Sequence, residues 1–225
     1  MTISKDEIER HKSQIRNYSN SGKYQRAYDL ASRLHRQHPK ILDFAYYEAV
    51  FTAEEFRGIS KSELNVRYRK AASKLRKLLR KLNGVEPRLK RSVRNEYYWF
   101  SRQPYKQYRL GIEFVNKGDL SAYYSQGVGA VEVAREYAKK RSKTLFLKWA
   151  KTSEKAWLEY FKVQANWFNS YLFYATALGF QGRKNEMYAA LKRGSKISGI
   201  SLKDEMFTSV VKDVAQVLAA LDQTA

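Results

Sequence analysis

The chain has no cysteine among its 225 residues, so a disulfide framework and any thiolate-ligated metal centre are excluded. Proline is nearly as scarce, at three residues, which leaves long stretches free to run as helix. No apolar run reaches the length of a bilayer span, and the Tyr-, Phe- and Leu-rich stretch from Trp167 to Phe180 is too short and too broken. The opening residues MTISKDEIERHKSQ lack the apolar core and cleavage site of a secretory signal, so a cytoplasmic protein is expected. Acidic residues are the minority charge: 22 Asp+Glu face 43 Lys+Arg, a formal net charge of +21. Such an excess favours solubility and attracts polyanions or acidic proteins.

Catalytic signatures are missing as well. Gly127-Val-Gly129 falls inside a helical pattern without the third glycine or the preceding strand of a dinucleotide site. It reads instead as close helix–helix approach or a bend. Neither a GxxxxGK[ST] phosphate loop nor a G-x-S-x-G elbow occurs. His35 and His38 share a helical turn, but a closed metal site would need distant ligands, and the last turn of a helix suits such side chains anyway. No cofactor, metal or catalytic residue is assigned.

What is present is helix. Hydrophobic residues (44%) recur at helical spacing and strand alternation is absent, so the chain is expected to be all-α, a single domain over 1–225. Ser4-Lys-Asp-Glu7 is a capping-box pattern opening a helix from Lys5 to Asn20. A second runs from Lys23 to Gln37, and a third follows Pro39 to near Gly58. Ser60-Lys-Ser-Glu63 opens a long basic helix to about Leu82, stopped by Asn83-Gly84. Pro87 and Pro104 mark two further starts. A helix from Leu120 to about Lys140 follows the Gly118-Asp119 turn. The segment Lys143 to Gln164 reads as helical with a break near Thr152-Ser153. Helices from Trp167 to Gln181 and Arg183 to Ile197 meet at Gly182, and Ser201-Leu-Lys-Asp204 caps a last helix to about Leu221.

The stretch YSNSGKYQRAYDLASRLHRQHP, Tyr18 to Pro39, carries Tyr18, Gly22, Tyr24, Ala27 and Pro39 in the order and spacing of a 34-residue unit. It resembles a tetratricopeptide repeat. Gly111, Phe114, Gly118, Leu120 and Ala130 fit the same frame, as do Ala175, Leu178, Gly182 and Leu191. Tyr123 and Met187 are bulky where the family prefers alanine, and 43–102 has no glycine-centred match. The resemblance implies an α-α superhelix of antiparallel helix hairpins, a tetratricopeptide-like solenoid with a C-terminal capping helix. It implies binding rather than chemistry, on a concave surface lined by the first helix of each pair.

Two surfaces stand out. Val66 to Arg94 holds Arg67, Arg69, Lys70, Lys74, Arg76, Lys77, Arg80, Lys81, Arg88, Lys90, Arg91 and Arg94 against Glu86 alone. Tyr68, Ala72, Leu75, Leu79 and Leu82 form an apolar stripe by which this helix can dock. Its cations are either a footprint for phosphate or an acidic protein surface, or a plainly solvated face. By the resemblance, Lys12, Arg16 and Asn20 fall at positions that often contact a bound peptide, though ordinary surface charge is the favoured account of them. Tyr46, Tyr108 and Asn169 are their counterparts in later helices, so the basic clamp is not reproduced. Further on, Trp149, Trp157, Tyr160, Phe161 and Trp167 interleave with lysines, a pattern open to stacking on unpaired bases, but Trp157, Tyr160 and Phe161 have the spacing of a buried stripe, which favours core packing. The expected partner is an acidic protein or peptide held by a non-enzymatic scaffold. RNA or DNA bound by 66–94 is the alternative, and peripheral attachment to an anionic membrane the third.

Overall fold

The structure, a computed structural model, describes residues 3–53, 60–82 and 87–222. Among these the chain is all-α: eleven α-helices and one short 3-10 turn, with no strand. Its internal packing divides it into two compact units, Met1–Gln103 and Pro104–Ala225. The expected turns at Gly58 and Asn83-Gly84 lie outside the described residues.

The first unit holds α1 (Lys5–Asn20), α2 (Tyr24–Gln37), α3 (Leu42–Phe51), α4 (Lys61–Lys81) and α5 (Pro87–Phe100). Ser4 builds the expected capping box. The Glu7 N–H donates to Ser4 Oγ at 3.2 Å, and the Ser4 N–H to Glu7 Oε2 at 3.1 Å. Each helix packs on its chain neighbours, and α3 also touches α1 and α5. One apolar cluster gathers Ile15, Leu30, Leu34 and Phe44; another gathers Leu75, Leu78, Val93 and Phe100. Burying these side chains supplies the driving force of folding, roughly 1.5–3 kcal/mol for each large one.

The second unit holds α6 (Pro104–Val115), the 3-10 turn Leu120–Ala122, α7 (Tyr123–Lys139), α8 (Lys143–Val163), α9 (Phe168–Phe180), α10 (Lys184–Ser198) and α11 (Glu205–Asp222). From α6 to α10 each helix packs on its chain neighbours, whereas α11 packs on α9 and α7, and α9 also touches α7. Trp157 and Tyr160 are fully enclosed, in keeping with the buried stripe expected of them.

Two glycines of α7 explain its close packing. An added Cβ at Gly127 would lie 2.4 Å from the Trp157 ring of α8, and one at Gly129 would lie 2.5 Å from the Tyr108 nitrogen of α6. Residues two apart on a helix project in nearly opposite directions, so one glycine seats α8 and the other α6. The sequence pattern meant close approach rather than a bend.

Two local expectations need correction, and one kind of turn holds residues that no local pattern marks. No break occurs at Thr152-Ser153. The Thr152 hydroxyl donates to Lys148 O at 2.9 Å within α8, and the Ser153 hydroxyl to Gly127 O at 2.8 Å, so both find acceptors without opening the helix. The last helix is capped by Asp204, whose Oδ1 accepts the Met206 N–H at 3.0 Å, while Ser201 closes a separate small turn with Lys203. Finally, the left-handed turn position is not reserved for glycine. Gly22, Gly118 and Gly182 take φ of 69°, 86° and 76°, but Arg102 and Arg141 do the same at 54° and 57°. In all five, the following residue's N–H donates to a carbonyl five residues back, the wider bond of a Schellman motif. Gly22 follows α1 and Gly182 follows α9, whereas Gly118 follows α6. A strict two-helix repeat cannot place all three at equivalent turns; the positions matching Gly22 and Gly182 after α5 and α7 belong to the two arginines.

Exposure differs between the helices of each unit. No residue of α3 or α9 is fully exposed, and of α7 only Glu136 and Lys139 are. The helices α2, α4, α6, α8 and α10 each present an open stripe that includes cations.

Candidate functional site

The strongest of these stripes is on α4. Its start is fixed by Ser60, whose Oγ accepts the Glu63 N–H at 3.2 Å. Its docked side is Ala71, Leu75, Leu78 and Leu82, all buried, with Tyr68, Ala72 and Leu79 half-buried beside them. The stripe is thus rotated slightly from the one expected, which centred on Leu75, Leu79 and Leu82. Opposite it, Arg69, Lys70, Arg76, Lys77, Arg80 and Lys81 are exposed, and none pairs with an acid among the described residues. Tyr68 packs edge-on against Phe100 at 5.2 Å between centroids, so no aromatic ring stands open among these cations.

Not every cation of the segment is available. Arg67 pairs with Glu63 one turn back at 2.8 Å. Lys74 turns inward and donates to Glu48 Oε1 at 2.8 Å and to Thr52 Oγ1 at 3.1 Å, with its ammonium 5.8 Å from the Tyr28 ring centre. Glu48 also meets His35, whose Nδ1 lies 2.5 Å from Oε2. Partial burial would push the Glu48 carboxyl up, but hydrogen bonds from Lys74 and His35 outweigh it and hold the group below its ordinary range. His35 therefore belongs to a polar network joining α2, α3 and α4. Among the described residues no group of three or more His, Asp and Glu is placed to hold a metal ion.

The residues singled out on α1 are likewise engaged. Lys12, its side chain only 17% exposed, bridges Glu9 at 2.8 Å and Asp43 of α3 at 2.9 Å. Burial would lower its pKa, but these two carboxylates outweigh that and raise it. Arg16 donates to Ser13 Oγ at 3.0 Å and to the Tyr47 hydroxyl at 3.5 Å. Asn20 ends α1 in the open, and Tyr46 lies half-buried beside Tyr47 at 5.3 Å. Asn169 is half-buried on α9, and Tyr108 stands edge-on to Trp149 at 4.9 Å.

Local sequence patterns could not show that Lys12 and Lys74 are spent on acids from other helices. They also missed Arg135 of α7, which is enclosed between Glu132 and Asp213 of α11 and lies over the Phe180 ring at 5.2 Å. Its only sequence signal is Glu132 one turn before it. Among the described residues no helix is long and apolar enough to cross a membrane. No protein-family model matches this chain, and no curated protein matches its sequence.

Proposed function

We propose that the protein is a non-enzymatic interaction scaffold of tetratricopeptide-like helix pairs, and that the open face of α4 receives an acidic protein or peptide. The carrying observation is the set Arg69, Lys70, Arg76, Lys77, Arg80 and Lys81, exposed along one helix with no acid to neutralise them. The repeat reading is supported by the shared turn geometry at Gly22 and Gly182, and by first helices meeting one another, as α1 meets α3 through Lys12–Asp43 and Arg16–Tyr47. Carboxylates on a partner would supply the charge that Lys12 and Lys74 already find internally. Changing Arg76, Lys77, Arg80 and Lys81 together to glutamine should weaken binding of a glutamate-rich peptide by about ten- to a hundredfold. Unchanged anisotropy titrations in that variant would remove α4 from the account. Partners captured from lysate should survive nuclease treatment.

A nucleic-acid backbone is the second reading, favoured by the length of the stripe: 21 helical residues span about 30 Å, enough to follow several phosphates. The absence of an open ring on α4 argues against base stacking there. If duplex RNA outcompetes the acidic peptide for α4, with the steep salt dependence of counterion release, this reading replaces the first.

A further inference from the structure

The second unit carries a different kind of surface. Gly129 lets the backbone of α6 at Pro104 and Tyr108 lie directly on α7, and Gly127 with Ser153 fixes α8 on the same helix. So held, α6 and α8 bring three rings together. Tyr108 stands edge-on to Trp149 at 4.9 Å, and Tyr105 does so at 6.0 Å. Tyr108 and Trp149 are half-buried and serve as the support, while Tyr105 is 55% exposed. Each ring has an exposed cation next to it in the chain: Lys106 beside Tyr105, Arg109 beside Tyr108, and Lys148 beside Trp149. These three pair with no acid among the described residues, and neither 104–112 nor 143–153 contains an acidic residue.

We infer that Tyr105, supported by Tyr108 and Trp149, is a stacking platform for an unpaired base of single-stranded nucleic acid, with Lys106, Arg109 and Lys148 meeting its phosphates. A ring held by other rings loses little freedom when a base settles on it, and every base offers a π-face. A duplex keeps its bases stacked on each other and has none to offer. An acidic peptide would satisfy the cations but would gain little from an exposed ring. This surface shares no residue with the α4 face, so the two readings stand or fall separately.

The test titrates the full chain into a fluorophore-labelled single-stranded oligouridine and, separately, a duplex RNA and an oligoglutamate peptide. Tyr105→Ala should weaken the single-strand complex about tenfold, the size expected for one stacked base. Tyr105→Phe should bind within about twofold of the parent, because stacking needs the ring and not the hydroxyl. Duplex binding should be indifferent to Tyr105→Ala. Equal single-strand affinity of the parent and Tyr105→Ala would overturn the platform. So would a comparable Tyr105 dependence of the oligoglutamate complex, which would assign the patch to an acidic protein.

Discussion

Arg141 holds φ at 57°, a conformation that costs a residue with a Cβ roughly 1 kcal/mol relative to glycine. Arg141→Gly should therefore raise the melting temperature by about 2–4 °C, read by circular dichroism, and a fall would show that its side chain repays the strain. The opposite change in α7 should do harm: Gly127→Ala places a methyl into the Trp157 ring and should cost about 1–3 kcal/mol in urea denaturation. Glu96 offers a pH signature. Burial pushes its carboxyl up to about 7, opposed only by a hydrogen bond from Asn95. From about pH 4.5 to 7 the folded state keeps a proton that the unfolded chain has released, so this group makes stability fall as pH rises through that window. The decline should be on the order of 1 kcal/mol, since the side chain retains some solvent contact, and Glu96→Gln should flatten it. Parent and variant urea midpoints that change identically between pH 5 and 8 would refute this.

At the scale of the helix, Glu48 ties α2 to α4 through His35 and Lys74. Its lowered pKa contributes stability above the unfolded carboxylate range that is lost as pH falls through the folded value. Glu48→Gln should thus cost about 1–2 kcal/mol at neutral pH and almost nothing in strong acid; an equal cost at both would mean the charge is irrelevant. Most helices, the Ser4 cap and the Gly22 turn were legible in the sequence because each rests on residues close together in the chain. Lys12–Asp43 and Lys74–Glu48 were not, because their partners are a helix or more away and nothing local marks an exposed lysine from a committed one. The turns at Arg102 and Arg141 were not legible because arginine, unlike glycine, carries no local mark of a positive φ. Tyr105 escaped because its exposure depends on where α6 settles on α7. The basic character of the α4 stripe is plain in the sequence, yet whether Lys74 stays open depends on Glu48 of another helix.

For the molecule as a whole, a net charge of +21 means that its like charges repel one another in the folded state. Added salt shortens the reach of that repulsion to about a nanometre or less, so the melting temperature should climb between low and physiological ionic strength. A melting temperature that drops instead would show that the ion pairs at Glu48, Asp43 and Asp213 outweigh the surplus. The spacing of Gly127 and Gly129 sets a further condition, on which length changes the protein can tolerate. One residue inserted between them would turn everything downstream by about 100° relative to what came before, leaving α6 and α8 no common rotation of α7 that admits both. Added residues are better borne at the junctions between helices, but α7 has a fixed reading frame in space as strict as that of its codons.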